Sequence, residues 1–304
     1  MRKLSYHGYE EGYDPRVLRL GNLAFDFAYP KTRMPYIHPE ITGEQLEKLA
    51  TSDERPLCYM AAQEGINFSI GLGLQDLLDF SSSRSGDSYT IVIGRDGSKV
   101  ELIEPNKFFD EVVLTNDDAR FWLESRLAVV HRLQILKGYL GMTPKIWLLT
   151  GLYNIQDAVT FSTHGQSSSG DFGGSVPLPE PTGLASLLQL NIGSKAKFGH
   201  NAVVQRGTQI SGKKVWAALW QQVDARFMSV GKWEEQMRGR QLKLLDIYSS
   251  QTVRASKGQQ AVAEVALSGG EDVRAGQSTG QDPGKEYWEL FEKEVTNVED
   301  DYRK

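Results

Sequence analysis

The chain has 304 residues, of which 40% are hydrophobic and 24% are charged, and this is the composition of a folded globular protein. Its single cysteine, Cys58, excludes an intramolecular disulfide and a metal site built from several cysteines. The sequence has no apolar run typical of a secretory signal, and no stretch of roughly 18 apolar residues that could cross a membrane as a helix. We therefore expect a cytosolic protein.

The excess negative charge lies at the C-terminal end. Lys and Arg together number 34, and Asp and Glu number 39, which gives a net charge of −5. Residues 1–254 contain 28 residues of each sign, whereas residues 255–304 contain 6 basic and 11 acidic residues. We interpret residues 1–254 as a neutral body and residues 255–304 as a linker followed by a separable acidic helix. A neutral body does not favour nucleic-acid binding.

The first third of the chain contains short predicted elements. Thr42 and Gln45 have the spacing of a capping box at the start of a helix. Four elements are expected before residue 80: an irregular arm over residues 1–45 with one strand at 18–29, a helix over 42–50, a strand over 56–70, and a turn into a short helix over 71–79.

A hairpin and a helix are the clearest elements in the middle of the chain. Residues 89–93 and 99–103 are rich in β-forming side chains, and Asp96 and Gly97 supply turn chemistry between them. Residues 116–137 have apolar side chains three and four positions apart, and Asn116 can cap the N-terminus of this predicted helix.

The remaining elements complete the predicted fold. They are a long strand over 145–161, a glycine-rich insertion over 164–174, strands over 198–205 and 213–228 with a turn at 208–212, an amphipathic helix over 231–249, a Gly/Gln/Ser-rich linker over 256–284, and an acidic helix over 285–299. Together these elements predict an α+β fold built on a long twisted antiparallel β-sheet with flanking helices.

The sequence contains no recognisable enzyme site. Gly71-Leu-Gly lacks the third glycine of a dinucleotide fingerprint, and Gly165-Gln-Ser-Ser-Ser-Gly170 lacks the spacing of a serine-nucleophile motif. Cys58 lies between Leu57 and Tyr59, so we expect a buried thiol. Five histidines are scattered without metal-ligand spacing: His7, His38, His131, His164 and His200. We expect a protein that is not an enzyme and uses neither a cofactor nor a metal.

Two predicted strands are unusually long, with 17 residues over 145–161 and 16 over 213–228. A typical strand has about 5–6 residues, and a tilted membrane strand needs about 9–11. Alternation over 213–228 places Trp216 and Trp220 on one face. Amphipathic strands with bordering aromatic residues are typical of membrane β-barrels, and a long bent sheet in a soluble protein is the other interpretation.

The predicted helix over 116–137 carries a basic stripe formed by Arg120, Arg126, Arg132 and Lys137. Such a stripe can bind anionic lipid, with each cation contributing on the order of 1 kcal/mol near the membrane surface. The other interpretation is a solvated face with local ion pairs such as Asp117–Arg120.

Three segments and the order of elements carry a family resemblance. Residues 66–79 run from a strand into Leu74-Gln-Asp-Leu-Leu78, residues 146–161 form the long strand, and residues 203–223 combine a polar strand, a turn and an Ala/Trp-rich strand. Over about residues 65–228 the chain resembles the pore-forming N-terminal domain of gasdermins, particularly the short gasdermin-like proteins of fungi.

The resemblance implies a regulated cell-death function. A soluble autoinhibited monomer in the cytoplasm would lose or displace its C-terminal tail and bind acidic phospholipids of the plasma membrane. It would then oligomerise with other copies and insert its hairpins as a β-barrel pore, which needs ring closure because unpaired strand edges cannot exist in hydrocarbon. An activating protease is an implied partner, and nucleic acid is not. The alternative is a soluble lipid- or protein-interaction module that does not insert.

The resemblance also assigns roles to individual residues. The lipid-binding cations would be Arg120, Arg126, Arg132, Lys137, Arg238, Arg240 and Lys243. The membrane-inserting side chains would be Trp147, Leu149, Tyr153, Ile155, Val215, Trp216, Leu219 and Trp220, and the first membrane hairpin would lie within 81–114. The inhibitory tail would use Tyr287, Trp288, Leu290 and Phe291, its acidic residues would cover Arg126, Arg132 or the cluster at 238–243, and cleavage would occur at Arg254, Lys257 or Arg274.

Overall fold

The computed structural model describes residues 6–63, 67–70, 89–136, 144–165, 202–228, 240–244, 262–268 and 284–302. Over these ranges the chain has an α+β fold with a large antiparallel β-sheet and few helices, as predicted. The strands are β1 (His7–Tyr13), β2 (Leu23–Ala24), β3 (Ala50–Gln63), β4 (Asn67–Ile70), β5 (Tyr89–Leu102), β6 (Ile146–Gly165), β7 (Ala202–Met228), β8 (Gln241–Lys243) and β9 (Val262–Leu267).

The helices flank this sheet. They are α1 (Gly43–Leu49), α2 (Pro105–Phe108) with a following π-helical turn (Phe109–Val113), α3 (Asp117–Leu136) and α4 (Gly284–Tyr302). The strand order is β4-β3-β5-β6-β7-β9-β8. In addition, β1 pairs with β7, and β2 pairs with β6.

The predicted hairpin over residues 89–103 is wrong, because β5 is one continuous strand. Gly97, expected in the turn, pairs with Arg55 of β3 on one side and with Ile155 of β6 on the other. A side chain at Gly97 would overlap the sulfur of Cys58, and one at Gly94 would overlap Cγ2 of Ile155. These two glycines therefore leave room for side chains of the neighbouring strands, and the chain does not form a turn there.

The predicted turn over residues 208–212 is also wrong, because β7 continues through it for a total of 27 residues. The 20-residue strand β6 provides a partner along most of this length. The register shifts near Asp157, where the backbone φ is 50° and Gly212 opposite has a φ of 83°. The Gly212 amide donates a hydrogen bond of 2.8 Å to Asp157 Oδ1, so this glycine forms part of a bulge within the strand pair.

The N-terminal part differs from the prediction in two places. A strand, β1, lies in the predicted irregular arm, and only Leu23–Ala24 of the strand expected over 18–29 is extended into the sheet. The helix expected over 42–50 is confirmed as α1, although the Thr42 side chain makes no capping hydrogen bond. The strand expected over 56–70 lies within β3 and β4, and the short helix expected over 71–79 lies outside the described residues.

The C-terminal part contains two strands that the sequence does not predict. The predicted linker contains β9, which pairs with β7 over Val223–Met228. Strand β8 replaces a helix at 241–243, and the rest of the predicted helix over 231–249 lies almost wholly outside the described residues. The predicted acidic helix is confirmed as α4 and extends to Tyr302. The division at residue 254 remains a prediction, but β9 belongs to the sheet.

The buried apolar side chains form three clusters. The helix cluster lies between the sheet and the helices and includes Leu123, Leu148 and Phe291. The arm cluster joins Trp147, Leu149, Val215 and Trp220 of the sheet to Tyr9, Leu18 and Ala24 of the N-terminal arm, residues 6–27. The strand cluster contains Cys58, Met60, Val92, Tyr153, Ile155 and Trp216. Cys58 is buried, as expected.

Candidate functional site

Helix α3 carries the basic stripe and is anchored at its start. The side chain of Asn116 accepts a hydrogen bond of 2.9 Å from the Ala119 amide, which is the expected N-cap, and another of 3.0 Å from the Tyr36 hydroxyl. Further along, Trp122 Nε1 donates a hydrogen bond of 2.9 Å to the Met34 carbonyl. Contacts with the N-terminal segment therefore hold the beginning of α3 in place.

The arginines of the stripe have different partners. Arg120 pairs with Glu124 at 3.0 Å, one turn further along the same helix. The local pair expected for Arg120 was Asp117. Arg126 pairs with Glu299 of α4 at 2.5 Å, and Arg132 pairs with Glu294 of α4 at 2.9 Å. The terminal helix thus covers two of the cations that we expected beneath it.

Of the other predicted cations, Arg240 has its partner outside α4. Arg240 forms two hydrogen bonds of 2.8 and 2.6 Å to the carboxylate of Asp110, which raises the pKa of its guanidinium. Lys243 lies in β8. Lys137 and Arg238 lie outside the described residues, as do the predicted cleavage positions Arg254, Lys257 and Arg274.

Arg126 is the most deeply buried cation of the pair of helices. Only 4% of its side chain is exposed, whereas 28% of the Arg132 side chain is exposed. Burial lowers the pKa of the Arg126 guanidinium, and the Glu299 carboxylate acts in the opposite direction. A guanidinium in this position depends on its carboxylate, because removing one partner leaves a buried charge without compensation.

Aromatic side chains complete the contact of α4 with the body. The ring of Phe25, just after β2, lies 5.5 Å from the ring of Trp288 and 5.1 Å from that of Phe291. The guanidinium of Arg33 lies 3.8 Å above the Trp288 ring, a cation–π geometry. Of the four predicted tail residues, Tyr287, Trp288 and Phe291 are buried, and Leu290 packs partly buried against the helix cluster.

The eight predicted membrane-inserting side chains are all buried. Four of them, Trp147, Leu149, Val215 and Trp220, belong to the arm cluster. Tyr153, Ile155 and Trp216 belong to the strand cluster.

The prediction that Trp216 and Trp220 share one face is wrong. A register shift between Tyr153 and Asn154 leaves Trp216 without a partner residue in β6 and interrupts the alternation. Trp216 consequently packs in the strand cluster, and Trp220 packs in the arm cluster.

The N-terminal arm covers part of the long strands, a feature that the sequence does not predict. Tyr9 is buried and receives a hydrogen bond of 3.0 Å from Trp220 Nε1, and it donates one of 3.1 Å to the Phe27 carbonyl. The available signal was the spacing of the arm's aromatic residues, Tyr9 and Tyr13, which is also found in irregular segments.

No helix in the described ranges is long and apolar enough to cross a membrane. Within the same ranges, no group of three or more His, Cys, Asp or Glu side chains is arranged to hold a metal ion. The site described above consists of ion pairs and aromatic contacts between α3, α4 and the N-terminal segment.

The fold and this site define an α+β protein in which an acidic helix is docked on the arginines of another helix beside a large antiparallel sheet. The chain matches no protein-family model and no curated protein with which it was compared.

Proposed function

We propose that this protein forms membrane pores in regulated cell death and that the docking of α4 on α3 holds the soluble monomer inactive. The observation that carries this proposal is the set of four neighbouring long strands, β3, β5, β6 and β7. They have 14, 14, 20 and 27 residues and run antiparallel in this order. A tilted membrane strand needs about 9–11 residues, so each of the four is long enough to span a bilayer.

We infer two membrane-inserting strand pairs, and the strand order supports this choice. The first pair is β3 with β5, which replaces the hairpin expected within residues 81–114, and the second is β6 with β7. In hydrocarbon every backbone donor and acceptor needs a partner within the protein. Insertion of these pairs therefore requires several copies of the chain to join into a closed ring.

The contact between α3 and α4 supplies the restraint. Arg126 and Arg132 are cations that an anionic membrane surface would attract, and in the monomer Glu299 and Glu294 occupy them. Release of α4 would expose these two arginines and would uncover Phe25 at the same time. The protein would move from the cytoplasm to acidic phospholipids of the plasma membrane. This arrangement supports the assignment of the chain to a gasdermin-like class.

The proposal is tested by dye leakage from phosphatidylserine/phosphatidylcholine vesicles. Because β9 pairs with β7, the cut belongs after this strand, so a site for a sequence-specific protease is placed within residues 269–283 of the full chain. Cutting should start leakage from these vesicles, and the uncut chain and pure phosphatidylcholine vesicles serve as controls.

Two outcomes contradict pore formation. Absence of both binding and leakage by a folded, cut protein that has released α4 would reject the proposal. Vesicle binding without leakage would instead support a lipid-interaction module that does not insert.

A further inference from the structure

The N-terminal strand β1 lies on the outer edge of β7, opposite to β6. His7 is paired with Ala218, Gly8 with Ala217, and Tyr13 with Val215. Farther along the same edge, β9 pairs with Val223–Met228. Segments from both ends of the chain therefore occupy the outer edge of the longest strand in the sheet.

Aromatic contacts hold β1 in this position. The Tyr9 ring lies 4.6 Å from that of Tyr13 and 5.3 Å from that of His7. His7 in turn lies 5.1 Å from Phe27, whose ring lies 5.0 Å from Trp147 of β6. With the two hydrogen bonds of the Tyr9 hydroxyl, these contacts form a built connection between the arm and the sheet.

The geometry points to a surface for self-association that the arm keeps closed. We propose that the outer edge of β7 at 215–218 binds the outer edge of β3 in a second copy of this chain, and that β1 must leave before this can happen. The inference rests on the proposed pore function, because ring closure requires such an edge-to-edge contact. It adds a second restraint, at the N-terminus, to the one formed by α4.

The directions of β3 and β7, and the alignment of their residues across the sheet, favour a second copy as the partner. Successive strands from β3 to β7 alternate in direction, so β7 of one copy placed beside β3 of another continues the antiparallel pattern. Glu54 of β3 lies in the same row as Val215 of β7, through Ser98 and Asn154. The contact would thus need little displacement along the strands.

Most of the outer edge of β3 is available for this pairing. Among the described strands, β3 has a second partner only at Met60–Gln63, where it pairs with β4. The remaining part of its edge includes the exposed acidic residues Asp53 and Glu54. The rows of the sheet place Asp53 opposite Ala217 and Glu54 opposite Val215, so the pairing is argued from strand direction and alignment and not from charge.

In the monomer β1 lies between these edges. It pairs with β7 and also lies close to β4, the strand beside β3. Native proteins cover strand edges in this way because an open edge is a template for another chain. While β1 is in place, the edge of β7 cannot accept a second copy at 215–218.

The two restraints share one short segment. Phe25 contacts Trp288 and Phe291 of α4, and Phe27, two residues later, contacts His7 of β1 and Trp147. Departure of α4 removes the packing on Phe25 and would loosen the segment that holds the arm. The order of events would be release of α4, release of β1, and pairing between copies.

A reversible disulfide tests the restraint directly. The Gly8→Cys/Ala217→Cys double variant places two thiols at paired positions on β1 and β7, and Cys58 stays buried. In the chain cut within 269–283, oxidation should abolish leakage from phosphatidylserine vesicles, and reduction of the same sample should restore it. Equal leakage from both forms would overturn the inference.

A second variant tests the same role of β1 in case the double variant does not fold. Tyr9→Phe removes both hydrogen bonds of the hydroxyl and keeps the ring, so it should raise the leakage rate of the cut chain by about fivefold for each buried hydrogen bond lost. Tyr29→Phe, at an exposed tyrosine, is the matched control. An unchanged rate for folded Tyr9→Phe would contradict a holding role for β1.

A cross-linking measurement separates this inference from the pore itself. Chains carrying Glu54→Cys and chains carrying Val215→Cys, two positions in the same row, are mixed, each in the Tyr9→Phe background and cut, with the vesicles present. A disulfide-linked pair should form between the two kinds of chain, and a Lys107→Cys chain in place of Glu54→Cys should not link. Linking without leakage would support the contact while rejecting the pore, and no linking would overturn the contact.

Discussion

The carboxylate of Glu299 lies 2.5 Å from the guanidinium of Arg126, although 173 residues separate them in the chain. Arg126 is almost fully buried, so this pair connects α4 to α3 in a place where water contributes little to solvating the cation. Opposite charges placed this way make the docking of the terminal helix sensitive to single substitutions.

Replacing Glu299 with Gln should destabilise the docked helix by about 1.5–3 kcal/mol, the range for a hydrogen bond to a charged group. The buried Arg126 guanidinium would lose its carboxylate and retain neutral partners, among them the hydroxyl of Ser125 at 2.9 Å and the ring of Trp122 at 5.0 Å. Hydrogen exchange of α4 amides measures the opening. Glu289→Gln is the control, because Glu289 pairs with Lys285 on an exposed face. Equal exchange in Glu299→Gln and the parent would contradict this role.

The Arg132–Glu294 pair allows a charge exchange. Arg132→Glu places two carboxylates together and should cost about 1 kcal/mol in the docking of α4, because this pair is partly exposed. Adding Glu294→Arg should restore most of that loss. The same hydrogen-exchange measurement applies, and a double variant no better than Arg132→Glu alone would show that the pair does not interact directly.

Phe291 anchors α4 in the helix cluster, where its side chain is 1% exposed. Phe291→Ala should cost about 3–5 kcal/mol through lost burial and a cavity against Phe25. We expect the uncut variant to leak phosphatidylserine vesicles, since α4 would undock without proteolysis. Lys293→Ala, an exposed position on the same helix, should leave leakage at the level of the parent. A folded Phe291→Ala chain with α4 still docked would disprove this anchoring.

The elements that the sequence predicts well are those whose signal is local. The helix after Asn116 has a cap and an apolar spacing of three and four, and both are properties of neighbouring residues. The strand after residue 145 has a long β-rich run and is confirmed as β6. The aromatic and acidic residues of α4 likewise predict a helix with one face to bury.

The features that the sequence does not predict depend on partners far away in the chain. Asp96–Gly97 has the composition of a turn, and only the sulfur of Cys58 from β3 explains why a glycine is needed within a strand. The pairing of β1 and β9 with β7 is not encoded in their own composition either. For the site, the ion pairs of Arg126 and Arg132 were expected, whereas the cover formed by the arm required the sheet register.

The interstrand packing at Gly94 provides a test of the corrected strand β5. Gly94→Ala would bring a methyl group onto Cγ2 of Ile155 and should destabilise the protein by about 1–3 kcal/mol. Ile155→Ala removes that atom, so the double variant should be more stable than the sum of the two single effects predicts. Urea unfolding of the four proteins completes the cycle. Simple additivity would mean that the two positions do not touch.

The burial of three histidines leads to a prediction of how the stability of the protein changes with pH. Burial lowers the pKa of His7, His38 and His131 from the ordinary value of 6.5, which means that the folded state binds these protons less readily than the unfolded chain. Their contribution to stability is complete above about pH 6.5 and is lost as the pH falls toward the lowered values. Asp14, whose pKa Arg16 lowers, titrates well below this range.

Urea unfolding at pH 7.5 and 5.5 should therefore show lower stability at pH 5.5, by at most about 1.4 kcal/mol per histidine for each pH unit below 6.5. His38 should contribute to this slope, because its Nδ1 lies 2.7 Å from the Pro39 carbonyl and its Nε2 has no hydrogen-bond partner within the described residues. Protonation would leave a buried donor there. His38→Gln should flatten the dependence between these pH values, and stability that is constant or higher at pH 5.5 in the parent would reverse the sign inferred from burial.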